Sequence, residues 1–370
     1  MEHLLVIGSV HSLFTAIFLG TKRHRMLNDK VLAVWMVFLA MPLIVGATVQ
    51  LWSTVNIPFF RADLIYPLTY GPFLWLYVGA LTGTIEKISA RHLVHFAPFA
   101  AVSVFQLLSG WAPAPPNPDS GFFNTTVRVI GGINFVVLAA YSTAVLRNLR
   151  RHDEKVLEHF SSLPDYVTLG WVRWMTVGIS GVFLLLFLAA VLSKPELMAV
   201  HLISLIFAIF VLSFFGLQQG KVFGTSDEIE QTGEDSPDDS EPDKSGPRYD
   251  RSGLNADRAD NIAKRLDKLM ASERSYLNAD LTIALLAKRM AVPRHHLTEV
   301  INARYQKNFF QFINDYRIQA VKQALADPAN ADQTLLNIAY ASGFNSKSSF
   351  NTSFKQVTGK TPSQYRRQLK

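Results

Sequence analysis

Over its first 220 residues the chain returns repeatedly to uncharged apolar runs about as long as a lipid bilayer is thick. Nothing else in it limits the fold so strongly. A backbone inside hydrocarbon must satisfy its own hydrogen bonds, so such runs fold as helices. Seven are read: Leu4–Gly20, Val31–Leu51, Leu64–Gly83, His92–Trp111, Val129–Leu146, Met175–Leu192 and Met198–Leu217. Pro42, Pro67, Pro72 and Pro98 interrupt several of them, which membrane helices tolerate. Trp52, Trp111, Trp171 and Trp174 lie near run ends, where aromatic belts form. The first run is expected to be retained rather than cleaved, because its basic cluster (Lys22, Arg23, Arg25) follows it instead of preceding it.

The composition then changes. Ser226–Pro247 holds nine Asp+Glu, one Lys and almost no apolar side chain, too little to bury a core. Its 22 residues would reach about 26 Å as a flexible chain. From Arg248 to Lys370 the chain carries 20 Lys+Arg against 10 Asp+Glu, a net of +10 where the whole chain has +7. Such a basic module suits a phosphate-bearing partner, nucleic acid or anionic lipid. The boundaries drawn are 1–220 for the apolar half, 221–255 for an acidic linker and 256–370 for the basic module.

Within that module the periodicity of apolar residues predicts two helix–turn–helix units joined by one long helix. In the second, Leu335, Ile338 and Ala339 form the inner face of a short helix, and Ser342-Gly343 breaks it. Asn345 or Ser346 caps the next helix, which Phe350 and Phe354 anchor. Its other face carries Lys347, Ser348, Asn351, Thr352 and Lys355, groups that bases and phosphates would meet, and Ser349 is counted with them. Thr361-Pro362 opens a last helix. Upstream, Leu281–Met290 and Arg294–Asn302 are read as the first unit, with Leu297, Val300 and Ile301 inward and Arg294, His295, Thr298 and Glu299 outward. The linking helix, Phe309 to Leu325, would span about 25 Å.

This string resembles the DNA-binding half of the AraC/XylS family of bacterial transcription regulators. Ile338, Ala339, Gly343, Phe344, Ser349, Phe350, Phe354, Lys355, Gly359, Thr361, Pro362, Tyr365 and Arg366 carry the likeness. The resemblance implies a tandem helix–turn–helix domain that binds double-stranded promoter DNA, with recognition residues in both units. Three positions depart from the family pattern: Pro293, where Ser is usual; Val321, where a small residue is usual; and Gln306, where Gly is usual. The first half resembles, in architecture alone, the multi-span sensor halves of some membrane-anchored members.

A DNA-binding C-terminus must face the cytoplasm, and seven spans then place the N-terminus outside. The connections that become cytoplasmic hold eleven Lys and Arg, including Arg147, Arg150 and Arg151, whereas the opposite ones hold Arg61, Arg128 and Lys194. That agrees with the positive-inside rule. The expected fold is therefore all-α, a seven-helix transmembrane bundle followed by a cytoplasmic tandem helix–turn–helix domain, and the expected location is a bacterial inner membrane. Expected partners are promoter DNA and membrane lipid, with RNA polymerase, a signal ligand and a second copy of the chain as further candidates.

The chain has no Cys, which excludes disulfides and Cys-ligated zinc. No HExxH, P-loop or nucleophile-elbow motif occurs, so neither catalysis, a cofactor nor a metal is expected. Polar residues within the runs could instead line a sensing pocket, and His11, Gln106, Asn134 and His201 are the candidates, along with simple interhelical hydrogen bonding. A regulator is favoured over a transporter or lipid-modifying enzyme with a regulatory DNA-binding tail. Gly79–Gly83 matches GxxxG, for which tight packing within the chain is expected.

Overall fold

The computed structural model describes residues 2–51, 65–109, 121–162, 168–192, 199–218 and 254–369. Trp52, Trp111 and the acidic segment up to residue 253 lie outside them. Among the described residues every regular element is a helix, and the sole extended pairing is a bridge between Phe160 and Thr282. Two compact units form: residues 1–150 with 169–225, and residues 151–168 with 226–370.

The first unit contains α1 (Glu2–Thr21), α2 (Leu27–Leu51), α3 (Pro67–Leu81), α4 (Ala90–Leu93), α5 (Ala97–Ser109), most of α6 (Gly121–His159), α7 (Gly170–Val191) and α8 (Ala199–Gln218). Glycine lets α8 approach its neighbours closely. A Cβ on Gly8 would come within 2.9 Å of Ile206 and Leu43, and one on Gly216 within 2.3 Å of Leu32. Hydroxyls then pair across the helices: Thr15 with Ser213 at 3.0 Å, Ser12 to the Met36 carbonyl at 2.7 Å, and Ser180 to Ser142 at 2.9 Å. Where α2 begins, the buried Asp29 carboxylate accepts from Lys22 at 2.7 Å and from the Met26 amide at 3.1 Å. It sits in the first turn, where a negative charge is favoured.

Five helices, not seven, are long and apolar enough to cross a membrane among the described residues: those within α1, α2, α6, α7 and α8. The run Leu64–Gly83 becomes α3, 15 residues and about 22 Å long, against a hydrocarbon thickness of about 30 Å. It is buried on nearly every side, the mark of a core helix. The run His92–Trp111 breaks into α4, a 3-10 turn at Val94–Phe96 and α5. There Ser89 and His92 cap α4 reciprocally, and His95 Nδ1 lies 2.7 Å from the Tyr141 hydroxyl. Gly79 of the GxxxG pair is covered by Ile85 of its own chain, 2.5 Å from where a Cβ would stand.

The second unit contains α9 (Ala256–Ser272), α10 (Ile283–Met290), α11 (Arg294–Tyr305), α12 (Phe309–Ala326), α13 (Leu335–Ala341), α14 (Lys347–Thr358) and α15 (Pro362–Leu369). Side chains cap most starts: Asn255, Thr282, Asn308, Thr334 and Ser346 each accept from an amide three residues on. Each such cap contributes about 1 kcal/mol. Two apolar cores form. One gathers Ile262, Leu266, Met270, Leu286, Leu297, Val300, Ile301 and Phe312; the other gathers Ile318, Val321, Ile338, Phe344, Phe350 and Phe354. The helix α12 supplies residues to both, so it is the beam joining the two helix–turn–helix units.

Candidate nucleic-acid interface

The second unit's turn is fixed by Gly343, which has φ +93°. A Cβ there would stand 2.5 Å from the Tyr276 carbonyl oxygen, so both dihedral and space demand glycine. The chain then enters α14 through Ser346, whose hydroxyl accepts from the Ser349 amide at 3.1 Å. Phe350 and Phe354 turn inward and meet edge-on at 5.6 Å, and Tyr365 of α15 lies 5.4 Å from Phe354. Burying each phenylalanine is worth about 1.5–3 kcal/mol.

That anchoring leaves Lys347, Ser348, Asn351, Thr352 and Lys355 exposed together on the opposite face of α14. Ser349 does not join them. It is 7% exposed and is buried on the inner side with Ser353, so it does not lie on that exposed face. The small serines at 349 and 353 let α14 sit close to its core. Sequence reasoning missed a neighbouring feature: Asn351, Thr352, Lys355 and Gln356 share one groove with Thr361, Pro362 and Ser363 at the start of α15. From Gln333 to Lys370 there are six Lys+Arg and no Asp or Glu, which the net charge of the whole module conceals. Arg366 is engaged internally, donating to the Gln333 carbonyl at 2.6 Å and to that of Ala331.

The first unit is less open. The turn before α11 passes through Ala291 at φ +50°, and Pro293 starts the helix without a side-chain cap. Its inner face is His296, Leu297, Val300 and Ile301. Of the expected contacts, His295 is exposed, whereas Arg294, Thr298 and Glu299 are half-buried. The Thr298 hydroxyl donates back to the Arg294 carbonyl at 3.1 Å. Although the residue is exposed, partial desolvation of its ring holds the His295 imidazole below its ordinary range, helped by His296 and opposed by Glu299. Arg304 pairs with Asp260 of α9, and Lys307 with Asp315 of α12. Gln306 ends α11 at φ +53°, the conformation for which glycine is the easy choice.

In the first unit of the fold, a cavity of about 470 Å³ opens among Trp35, Tyr70, Trp171, Met175, Gly178 and Phe183. His11, Asn134 and His201 are not among its walls, and the Gln106 side chain lies outside the described residues. His11 instead stacks on Phe210 at 4.2 Å, and His201 meets the edge of Phe183 at 5.7 Å. Among the described residues no cluster of His, Asp and Glu is placed to hold a metal ion.

Residues 286–368 match the family described as a helix-turn-helix domain, a span that covers α11 to α15 and most of α10. An uncharacterized HTH-type transcriptional regulator of Staphylococcus aureus strain COL is 32% identical over 91 residues, 25% of this chain and 12% of that protein. A counterpart in strain MW2 shows the same identity over the same shares. The matched part thus spans about an eighth of these relatives' length. No solved structure matches the chain. A helix–turn–helix domain at this end of the chain, akin to those of transcription regulators, is what the geometry and the comparisons together establish.

Proposed function

We infer that the chain is a membrane-embedded, sequence-specific transcription regulator of AraC type that reads promoter DNA with α14 and, to a lesser degree, with α11. The observation that carries this reading is the row Lys347, Ser348, Asn351, Thr352 and Lys355, exposed together on a capped helix in an acid-free stretch. Amide and hydroxyl groups read base edges in the major groove, and the lysines meet phosphates. Ser349 is left out of the readers.

Membrane residence rests on surface chemistry. The first unit exposes Phe14, Ile17, Leu108, Phe207 and Trp174, the last two at 70% and 79%. Apolar surface on this scale requires a lipid or protein cover. Five spans leave the same parity as seven, so the N-terminus stays outside and the C-terminal domain cytoplasmic. Lys87 and Arg91 change sides, and the positive-inside balance becomes nine against five. At 39 residues, about 58 Å, α6 exceeds the membrane core by about 28 Å. Arg147, Arg150 and Arg151 lie on its cytoplasmic end. The signal ligand is apolar and enters the cavity among Trp35, Tyr70, Trp171 and Gly178, whose size suits a small molecule.

The test is titration of the full chain in lipid nanodiscs with DNA from upstream of its own and neighbouring genes. Affinity should drop about 10³-fold between 50 and 200 mM salt if six phosphates are met. A flat salt dependence, or equal affinity for every fragment, would count against the reading.

A further inference from the structure

We propose that Phe160–Ser162 is a strap that docks into the DNA-binding half and controls it, with Arg317 of α12 as its receptor. The control part of this inference rests on the DNA-binding reading above; the docking does not. All the contacts lie within the second unit. Arg317 is fully buried between the two helix–turn–helix cores. Burial lowers its pKa to about 10, so it remains a cation at neutral pH. A buried cation must be met by acceptors. Nε donates to the Tyr276 carbonyl at 2.8 Å, and Nη2 to the Asn278 carbonyl at 2.8 Å. The remaining bonds go to the strap: Nη1 to the Ser161 carbonyl at 2.7 Å and the Ser162 hydroxyl at 3.2 Å, and Nη2 to the Ser161 hydroxyl at 2.9 Å.

The strap is held from its other side as well. The Ser161 amide and hydroxyl donate to the Leu281 carbonyl at 3.2 and 2.6 Å. The Ser162 hydroxyl donates to the Ala279 carbonyl at 2.8 Å, and Phe160 bridges to Thr282. The Asn314 amide donates to the Ser161 carbonyl at 3.2 Å. Both serines are buried. Thr282 caps α10, so the strap touches the start of the first helix–turn–helix unit. Arg317 also faces the Phe344 ring at 5.8 Å and lies 3.0 Å from where a Gly343 Cβ would stand. One guanidinium thus joins the strap, the entry of the first unit and the turn of the second. In the chain the strap follows α6 without a break. Displacing it would strip Nη1 of both its partners and Nη2 of one of its two, and so loosen the joint on which both reading helices depend. Docked and undocked strap are the two states that a signal in the apolar half can bias.

The absence of Cys makes the docking directly testable. A protease site is placed in the acidic segment of the full chain, which is then held in nanodiscs. After cleavage the C-terminal fragment should stay with the N-terminal part through gel filtration. Ser161→Ala with Ser162→Ala, which removes four hydrogen bonds, should speed its departure at least tenfold. A Ser162→Cys, Ala279→Cys pair bridged by a short bis-maleimide should hold it permanently. A wild-type fragment that leaves at once, or a Cys pair that does not bridge, would overturn the docking. The same double-alanine chain, uncleaved, should differ from wild type in promoter affinity by about tenfold; equal affinity would overturn the control. A fragment that behaves as expected but binds no DNA would sink the regulator reading and leave the docking standing.

Discussion

Replacing Gly343 by alanine should open the second helix–turn–helix unit, and Gly359 supplies an internal standard for how much. Both glycines have positive φ, +93° and +73°. A Cβ in that region costs about 1–2 kcal/mol. At Gly359 nothing lies within 4 Å of the added carbon, so this dihedral term is the whole effect. At Gly343 the carbon would stand 2.5 Å from the Tyr276 carbonyl oxygen and 3.0 Å from both Arg317 Nε and the Leu277 Cα. Two of those neighbours are backbone, and the third is a side chain held by its hydrogen bonds, so none can swing aside. Overpacking adds about 1–3 kcal/mol. The total for Gly343→Ala is then about 2–5 kcal/mol, a large part of the 5–15 kcal/mol typical of a domain. The tryptophans all precede residue 175, so fluorescence would report only the other half of the chain. Amide hydrogen exchange, followed by mass spectrometry over α13 and α14 in the full chain, resolves the local opening instead. Protection should fall about 30-fold to several thousand-fold for Gly343→Ala, and about 5- to 30-fold for Gly359→Ala. Equal losses at the two sites would refute the close approach of the turn to Tyr276 and Arg317, and with it the joint assigned to that arginine.

Asn351→Ala and Thr352→Ala should each cost about 1–3 kcal/mol of discrimination between promoter and random DNA in competition binding, whereas Ser349→Ala should leave that ratio unchanged. Gly178→Phe should put a ring into the apolar cavity that Gly178 lines, its Cβ having open space within 4 Å, and should abolish the response of a promoter reporter while protein levels hold. The depressed pKa of His295 means that the folded state binds its proton less readily than the unfolded chain, which titrates near 6.5. Stability of the DNA-binding half should therefore fall as pH is lowered through about 6.5, and His295→Gln should flatten that part of a melting profile recorded between pH 8 and 5.

The second helix–turn–helix unit was legible because each of its instructions is local. Thr334 and Ser346 cap, Gly343 turns, and Phe350 and Phe354 anchor, all within 21 residues of chain. Ser349 was misplaced for a reason of the same kind. Two phenylalanines define the centre of a buried face but not its width, and at 100° per residue a small side chain beside them can fall on either side of the edge. The apolar half failed differently. Hydropathy counts apolar residues and is blind to what covers them, so α3, wrapped by protein, scores like a helix wrapped by lipid. Its 15 residues, and the 3-10 break at Val94–Phe96, are consequences of packing and capping at His92 that a sliding window averages away.

The strap lies beyond any such reading. Ser161-Ser162 is an unremarkable polar pair in a connection between two apolar helices, and its receptor lies 155 residues further on. Arg317 offers the one hint, since a cation in the middle of an apolar helix face has to be met by something. The acidic segment, by contrast, is conspicuous in sequence and invites the idea that signals pass along it. Its composition predicts a flexible chain, about 26 Å root-mean-square over 22 residues, which would transmit little force. The strap offers a different route, through three hydrogen bonds to one buried guanidinium. If both connections exist, the tether limits where the DNA-binding half can go and the strap decides what it does there. Lengthening the acidic segment with Gly and Ser should then leave signal response intact, while a single added residue between His159 and Ser161 should break it. Loss of response from the tether insert, with the strap insert silent, would reverse the assignment.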